Sequence, residues 1–217
     1  VSRAGGRRGA RTAAATACAA AGGVLIALGL PTTGAVPPPE RPPTAPRAAS
    51  PEGTARPLPP ARPRRVRVPA LGLDVVTTPV GLDDDGSVAL PDDPDHAGWF
   101  THGPTPGQRG NAVLVGHVDS ASGPAAFHGL SAVRPGDRVV VERAHGPGAE
   151  FTVTTATVYD RDAFPSGEVY GPSTQPRLTL ITCAGWDAER RSYRANLVLT
   201  ARLARVPDGS GPRTEVS

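Results

Sequence analysis

The chain has 217 residues, with 26 Gly, 26 Pro, no Met and Arg in place of Lys throughout, which leaves room for one ordinary domain plus extra segments or two very small domains. Its formal charge of +3 is unevenly spread: residues 1–65 carry ten Arg against Glu40 and Glu52, while residues 66–217 carry 13 Arg against 18 acids. An acidic remainder with few aromatics excludes a nucleic-acid binder, which needs a basic face.

Residues 1–11 hold Arg3, Arg7, Arg8 and Arg11 and no acid, and read as a basic cytoplasmic leader. Residues 12–30 are uncharged and mostly Ala, Gly, Leu, Val and Ile. A basic start followed by ~18 apolar residues fits a transmembrane helix or an export signal. The length of the run favours the uncleaved anchor, although Thr33-Gly34-Ala35 resembles a small-residue cleavage site. Positive flanks stay inside, so the expectation is a single-pass protein of the cell membrane with its folded domain extracellular. In residues 31–65 prolines recur from Pro31 to Pro63, which predicts a disordered, extended linker. At ~3.1 Å per residue it would reach up to roughly 100 Å from a membrane.

The folded domain is expected over residues 66–205, with a disordered tail at 206–217. It reads as short strands bounded by Gly, Pro and Asp: 65–68, 73–77, 87–90, 112–115, 138–141, 151–159, 178–182 and 195–203. Asp83-Asp84-Asp85-Gly86, Pro91 to Pro94, Arg134 to Asp137 and Gly146-Pro147-Gly148 supply turns between them. One helical turn is expected near Pro124 to Leu130. About eight strands in ~150 residues make the domain mainly β, either a closed barrel or a sandwich.

Chemistry concentrates at strand ends. Cys18 falls in the expected anchor, so Cys183 is alone in an exported domain, where cysteines are usually paired or absent. The residues leave three readings for it: a buried inert thiol, an intermolecular disulfide, or a nucleophile. Cys183 closes the apolar run Leu178 to Thr182 and meets Ala184-Gly185, a placement that is rigid yet able to face solvent. His117 likewise leaves the strand Ala112 to Val115, and Arg194 opens the strand Ala195 to Leu203. Three reactive side chains at three strand ends could meet at one rim of a small barrel.

Thr179 to Cys183 reads T-L-I-T-C, preceded by G-H-V-D at Gly116 to Asp119 and followed by an Arg at the head of the last long strand. This set, over roughly Val66 to Leu203, resembles the sortases, with TLxTC as their signature. Gly98-Trp99-Phe100 and G-H-V-D-S make it most similar to the class F sortases of actinobacteria, in line with a GC-rich base composition. The resemblance implies an eight-stranded β-barrel behind an N-terminal anchor and linker. It implies a transpeptidase that cleaves an LPxTG-like C-terminal sorting signal between Thr and Gly and passes the acyl group to an amine. Implied partners are surface proteins bearing that signal, an amine acceptor such as a cell-wall precursor, and the membrane through the N-terminal helix.

In that mechanism Cys183 is the nucleophile, His117 the proton carrier and Arg194 the oxyanion stabiliser; no cofactor is needed. Arg191 is the rival of Arg194, but it sits in the preceding loop. Asp119 could orient His117 or cap the turn at Ser120 to Gly123. Thr182 could donate to substrate or simply pack in its strand. None of the five His has metal-ligand spacing, and Asp83 to Gly86 lacks the alternating ligands of an EF-hand, so no metal is expected. The competing readings are a non-catalytic surface β-domain that binds a partner and another thiol acyl-hydrolase. A papain-like order is disfavoured because His117 precedes Cys183 by 66 positions.

Overall fold

The computed structural model describes residues 55–204, apart from Asp85. The leader at 1–11, the anchor at 12–30, most of the linker and the tail at 206–217 therefore lie outside the described residues. Among the described residues no helix is long and apolar enough to cross a membrane. Residues 55–65, expected to belong to the disordered linker, are ordered: Ala55 and Ala61 are buried and the Leu58 amide donates to Gly107 O at 2.8 Å. The apolar side chains scattered among those prolines find the barrel wall, which composition alone could not show.

Ten strands form. They are β1 (Pro63–Val68), β2 (Leu73–Val80), β3 (Ala97–Phe100), β4 (Gly110–Gly116), β5 (Asp119–Ser120), β6 (Gly123–Pro124), β7 (Arg138–Arg143), β8 (Ala149–Asp160), β9 (Pro176–Asp187) and β10 (Ser192–Leu203). Eight of them close into a barrel in the order β1-β2-β3-β4-β9-β10-β8-β7, and β5 and β6 make a separate small hairpin. The pairs β2–β3 and β4–β9 are parallel, and the other barrel pairs are antiparallel. Closure removes the unpaired edges that an open sheet would expose.

Two expected elements differ. Residues 87–90 supply only one isolated bridge, Leu82 with Val88, and the barrel strand is instead Ala97–Phe100. The expected helical turn at Pro124 to Leu130 becomes a series of turns ending in a 3-10 turn at Leu130–Ala132, because Gly129 takes a left-handed φ of 82°. A four-residue helix, α1 (Ser166–Val169), lies in the long β8–β9 connection.

Period-2 alternation gives the strands two faces. Val66, Val68, Leu114, Val139, Val141, Phe151, Leu178, Leu180 and Leu199 are fully buried inside the barrel, which Phe127 and Leu130 help to fill. The opposite face of β4, β9 and β10 carries a second apolar cluster of Val113, Val115, Ile181 and Val198. Val88 and Val169 from the flanking connections cover it, with Phe100, Tyr159, Phe164 and Tyr170 at its margins. This outer cluster is the floor on which the reactive residues stand.

Candidate active site

The parallel pairing of β4 with β9 places the first two groups. The register runs from Gly110 opposite Pro176 to Val115 opposite Ile181. His117 is the first residue after β4 ends at Gly116, and Cys183 stands two positions past Ile181 on β9. Strand alternation from Ile181 keeps the Cys183 side chain on the outer face. On the other flank of β9, Cys183 pairs with Asn196 of β10. Arg194, two residues before Asn196, shares that outer face, diagonal to Cys183. The strand order β4-β9-β10 thus brings these three chain positions, far apart in sequence, to the same end of neighbouring strands.

His117 is held on several sides. Its Nε2 donates to Pro91 O at 3.0 Å, and its own carbonyl accepts from the Phe127 amide at 2.8 Å. The Ala126 amide in turn bonds Pro94 O at 2.9 Å, locking the turn after β4 to the 91–94 loop. A carbonyl can only accept, so Nε2 carries a proton whether the ring is neutral or charged. Nδ1 is then the atom left to exchange a proton. Gly116 makes the approach possible, since a Cβ there would lie 2.8 Å from the Phe127 ring.

Cys183 is a free, half-buried thiol. Burial pushes it above the ordinary thiol range; Arg161 pulls it down, and Asp119 adds to the rise. Arg161 follows Asp160, which pairs with Ala195, so it emerges from β8 close to where Arg194 leaves β10. Sequence reading passed over Arg161 because a lone Arg in a turn carries no signal until the strand register is known.

Arg194 is largely exposed, and its Nε lies 3.5 Å from Asp187 Oδ2. Asp187 also holds Arg190 at 2.6 Å and accepts from the amides of Glu189 and Arg190. Chiefly through that Arg190 amide bond, its carboxyl stays below the usual carboxylate range. Arg191 sits in the turn with a φ of 51° and is exposed, whereas Arg194 projects from the strand.

Thr182 takes the packing role of its two expected readings, and Asp119 takes neither of its own. The Thr182 hydroxyl is buried and donates to Gly116 O at 2.8 Å, on the face opposite Cys183, so it ties β9 to β4 and is not available to a substrate. Asp119 neither orients His117 nor caps the next turn: Ser120 Oγ takes the Ser122 amide, and Asp119 accepts instead from the Tyr193 hydroxyl. Tyr193 was not singled out in the sequence, because its partner lies 74 positions away. Among the described residues no group of three or more His, Cys, Asp or Glu is arranged to hold a metal ion.

The outer face extends well beyond the thiol. A cleft of about 370 Å³ lies at the far end of β4, between Phe100, His102, Arg109, Val113 and Tyr170. Between that cleft and Cys183 lie Val113, Val115 and Ile181, buried beneath Val88 and Val169.

Residues 66–204 match the family model described as "Sortase domain". The chain belongs to the sortase family. The barrel is also similar to solved sortases. Sortase A from Corynebacterium diphtheriae matches at 17% identity with a TM-score of 0.52, covering 69% of this chain and 63% of that one. Sortase C1 of Streptococcus agalactiae, solved as a complex with MTSET, matches at 18% identity and a TM-score of 0.52, covering 69% and 72%. At such identities the likeness speaks for the fold. No curated protein sequence matches the chain. Sortases are cysteine transpeptidases acting on surface proteins with sorting signals and on amine acceptors, so the chain is an enzyme of that kind.

Proposed function

We propose that this sortase cleaves an LPxTG-like sorting signal between Thr and Gly and joins the new carboxyl end to an amine at the cell surface. The observation that supports the assignment of roles is the shared barrel end: Cys183 on β9, His117 just past the end of its parallel neighbour β4, and Arg194 near the start of its antiparallel neighbour β10. The thiolate of Cys183 attacks the Thr carbonyl carbon, and the carbonyl electron pair moves to oxygen. Arg194, permanently charged, faces that oxyanion once the substrate draws it from Asp187. Collapse breaks the Thr–Gly bond, and the Gly nitrogen leaves as an amine with the proton from His117 Nδ1.

The thioester is then attacked by an acceptor amine, which gives a proton back to His117 as the new amide forms and the thiolate is released. Because burial raises the thiol, the ionised Cys183 is the minor form at neutral pH, so turnover rises with pH as thiolate forms. G-H-V-D-S and G-W-F support a class F type of enzyme. The basic start and the apolar run at 12–30 support a single-pass anchor with the barrel outside the cell.

The test is incubation of the purified protein with an LPxTG peptide library, with and without an amine, read by mass spectrometry. Wild type should yield a Thr–amine conjugate, and Cys183→Ala and Arg194→Ala should yield none while unfolding at the wild-type temperature. Undiminished conjugation by either variant removes that residue's role.

A further inference from the structure

Two residues beside the reactive ones are joined across the barrel mouth. Asp119 lies two positions after His117, Tyr193 lies one before Arg194, and the phenol hydroxyl donates to the Asp119 carboxylate. The bond is partly buried and links segments that the barrel strands themselves do not pair, β5 and the start of β10. Tyr193 is held for the task by its cross-strand partner Trp186, whose ring meets it at 5.0 Å and 61°.

The choice of partner is informative. Arg194 is engaged with Asp187, and Asp119 is held by a neutral donor, which fixes a carboxylate without cancelling its charge. Burial, with the nearby carboxylate and thiol, keeps the Tyr193 hydroxyl well above the ordinary phenol range, so it remains a donor at any working pH. Asp119 on β5, Arg161 after β8 and Tyr193 on β10 interact with the sulfur, while His117 follows β4 and Asp187 and Arg194, paired with each other, lie at the adjoining ends of β9 and β10. Asp119 is the member of that set that opposes thiolate formation, and Arg161 the one that favours it.

We propose that the Tyr193–Asp119 hydrogen bond is a positioning clasp that fixes the His117 turn against the Arg194 strand, so that imidazole and guanidinium address one peptide bond over Cys183. The carboxylate in the clasp also sets how readily the thiol ionises. This rests on the transpeptidase reading above, and its test is chosen to be separable from it. A misplacement of about 1 Å can cost up to two orders of magnitude in rate, so a clasp of this kind is worth having in an otherwise short, loop-ended site.

The experiment uses Tyr193→Phe and Asp119→Asn in the full chain, with two readouts. The first is the pH profile of iodoacetamide alkylation at Cys183, which needs no substrate. Tyr193→Phe leaves a bare carboxylate and should move the midpoint to higher pH, whereas Asp119→Asn removes the charge and should move it lower, each by about half a unit. The second is peptide transpeptidation, where both variants should lose about tenfold in kcat with KM within about twofold.

Opposed alkylation shifts together with a shared loss of kcat support the clasp. A purely structural bond would shift both profiles the same way, and that result, or unchanged kcat in Tyr193→Phe, overturns it. If Tyr193→Phe does not fold, Asp119→Asn alone decides, since an unmoved profile with full kcat also overturns the proposal. A wild type that alkylates normally but couples no sorting peptide sinks the transpeptidase reading, and the alkylation shifts still judge the carboxylate's effect on the thiol.

Discussion

The strands β4, β9 and β10 have two faces built from alternate residues of the same segments, and the faces do different work. The inner one, with Leu114, Leu178, Leu180 and Leu199, is wrapped by the rest of the barrel and fully buried. The outer one begins with the same kind of residue, Val113, Val115, Ile181 and Val198, but it is covered only by connections and ends in His117, Cys183 and Arg194. Closure on one side makes a scaffold stiff enough that the other side can hold polar, reactive groups at strand ends without a wall around them. A one-residue slip of β9 would exchange the two faces, so the register that buries Leu180 is also what presents Cys183.

Substitutions on the two faces should therefore fail in different ways. His117→Ala, on the outer face, should lower transpeptidation by about 10²–10⁴-fold with the unfolding midpoint nearly unchanged. Equal losses of activity and of stability would erase the distinction between the faces. Leu180→Ala, one face away, should cost about 2–5 kcal/mol in denaturant unfolding while the folded fraction keeps its rate. Its outer neighbour Ile181→Ala should destabilise by a comparable amount, because Ile181 is itself buried in the outer cluster with Val88 and Val169. An unchanged unfolding midpoint in Ile181→Ala would show that the outer cluster adds nothing to stability.

Gly116→Ala sharpens the comparison at the seam, where an inward Cβ would press on the Phe127 ring. It should destabilise by about 1–3 kcal/mol and, by tilting the turn, also slow turnover. A thermal melt superimposable on wild type would mean the ring moves freely aside. The smallest effect is expected from Arg161→Ala, which removes the cation favouring thiolate. Its alkylation profile should move to higher pH by about half a unit, and a shift to lower pH would contradict the placement of Arg161 near the sulfur.

How far the sequence could be read follows the range of the interactions involved. Alternation in Arg65 to Val68 and Arg138 to Val141 is local, with Val66, Val68, Val139 and Val141 inward and Arg65, Arg67, Arg138 and Val140 outward, and those strands stand where they were expected. Ala97–Phe100 escaped notice as a strand because it is four residues long and contains Gly98, which is there for tight packing against Val80 and Val115. Ser87 to Leu90 alternates as well as any strand but adds no strand to the barrel, bonding instead to the 81–83 segment with the isolated Leu82–Val88 bridge. Residues 55–65 read as linker from their prolines, yet Ala55, Leu58 and Ala61 dock on the domain.

By itself the sequence narrowed the fold to a barrel or a sandwich and singled out Cys183, His117 and Arg194 as candidates, because hydrophobic alternation and a signature at a strand end are written in consecutive residues. Only the tertiary structure decided that Thr182 turns inward to Gly116, that Arg194 rests on Asp187, and that Asp119 belongs to Tyr193. Those partners are chosen by which strands lie side by side. Pairing across a closed barrel depends on the whole register, and no local run of residues contains it.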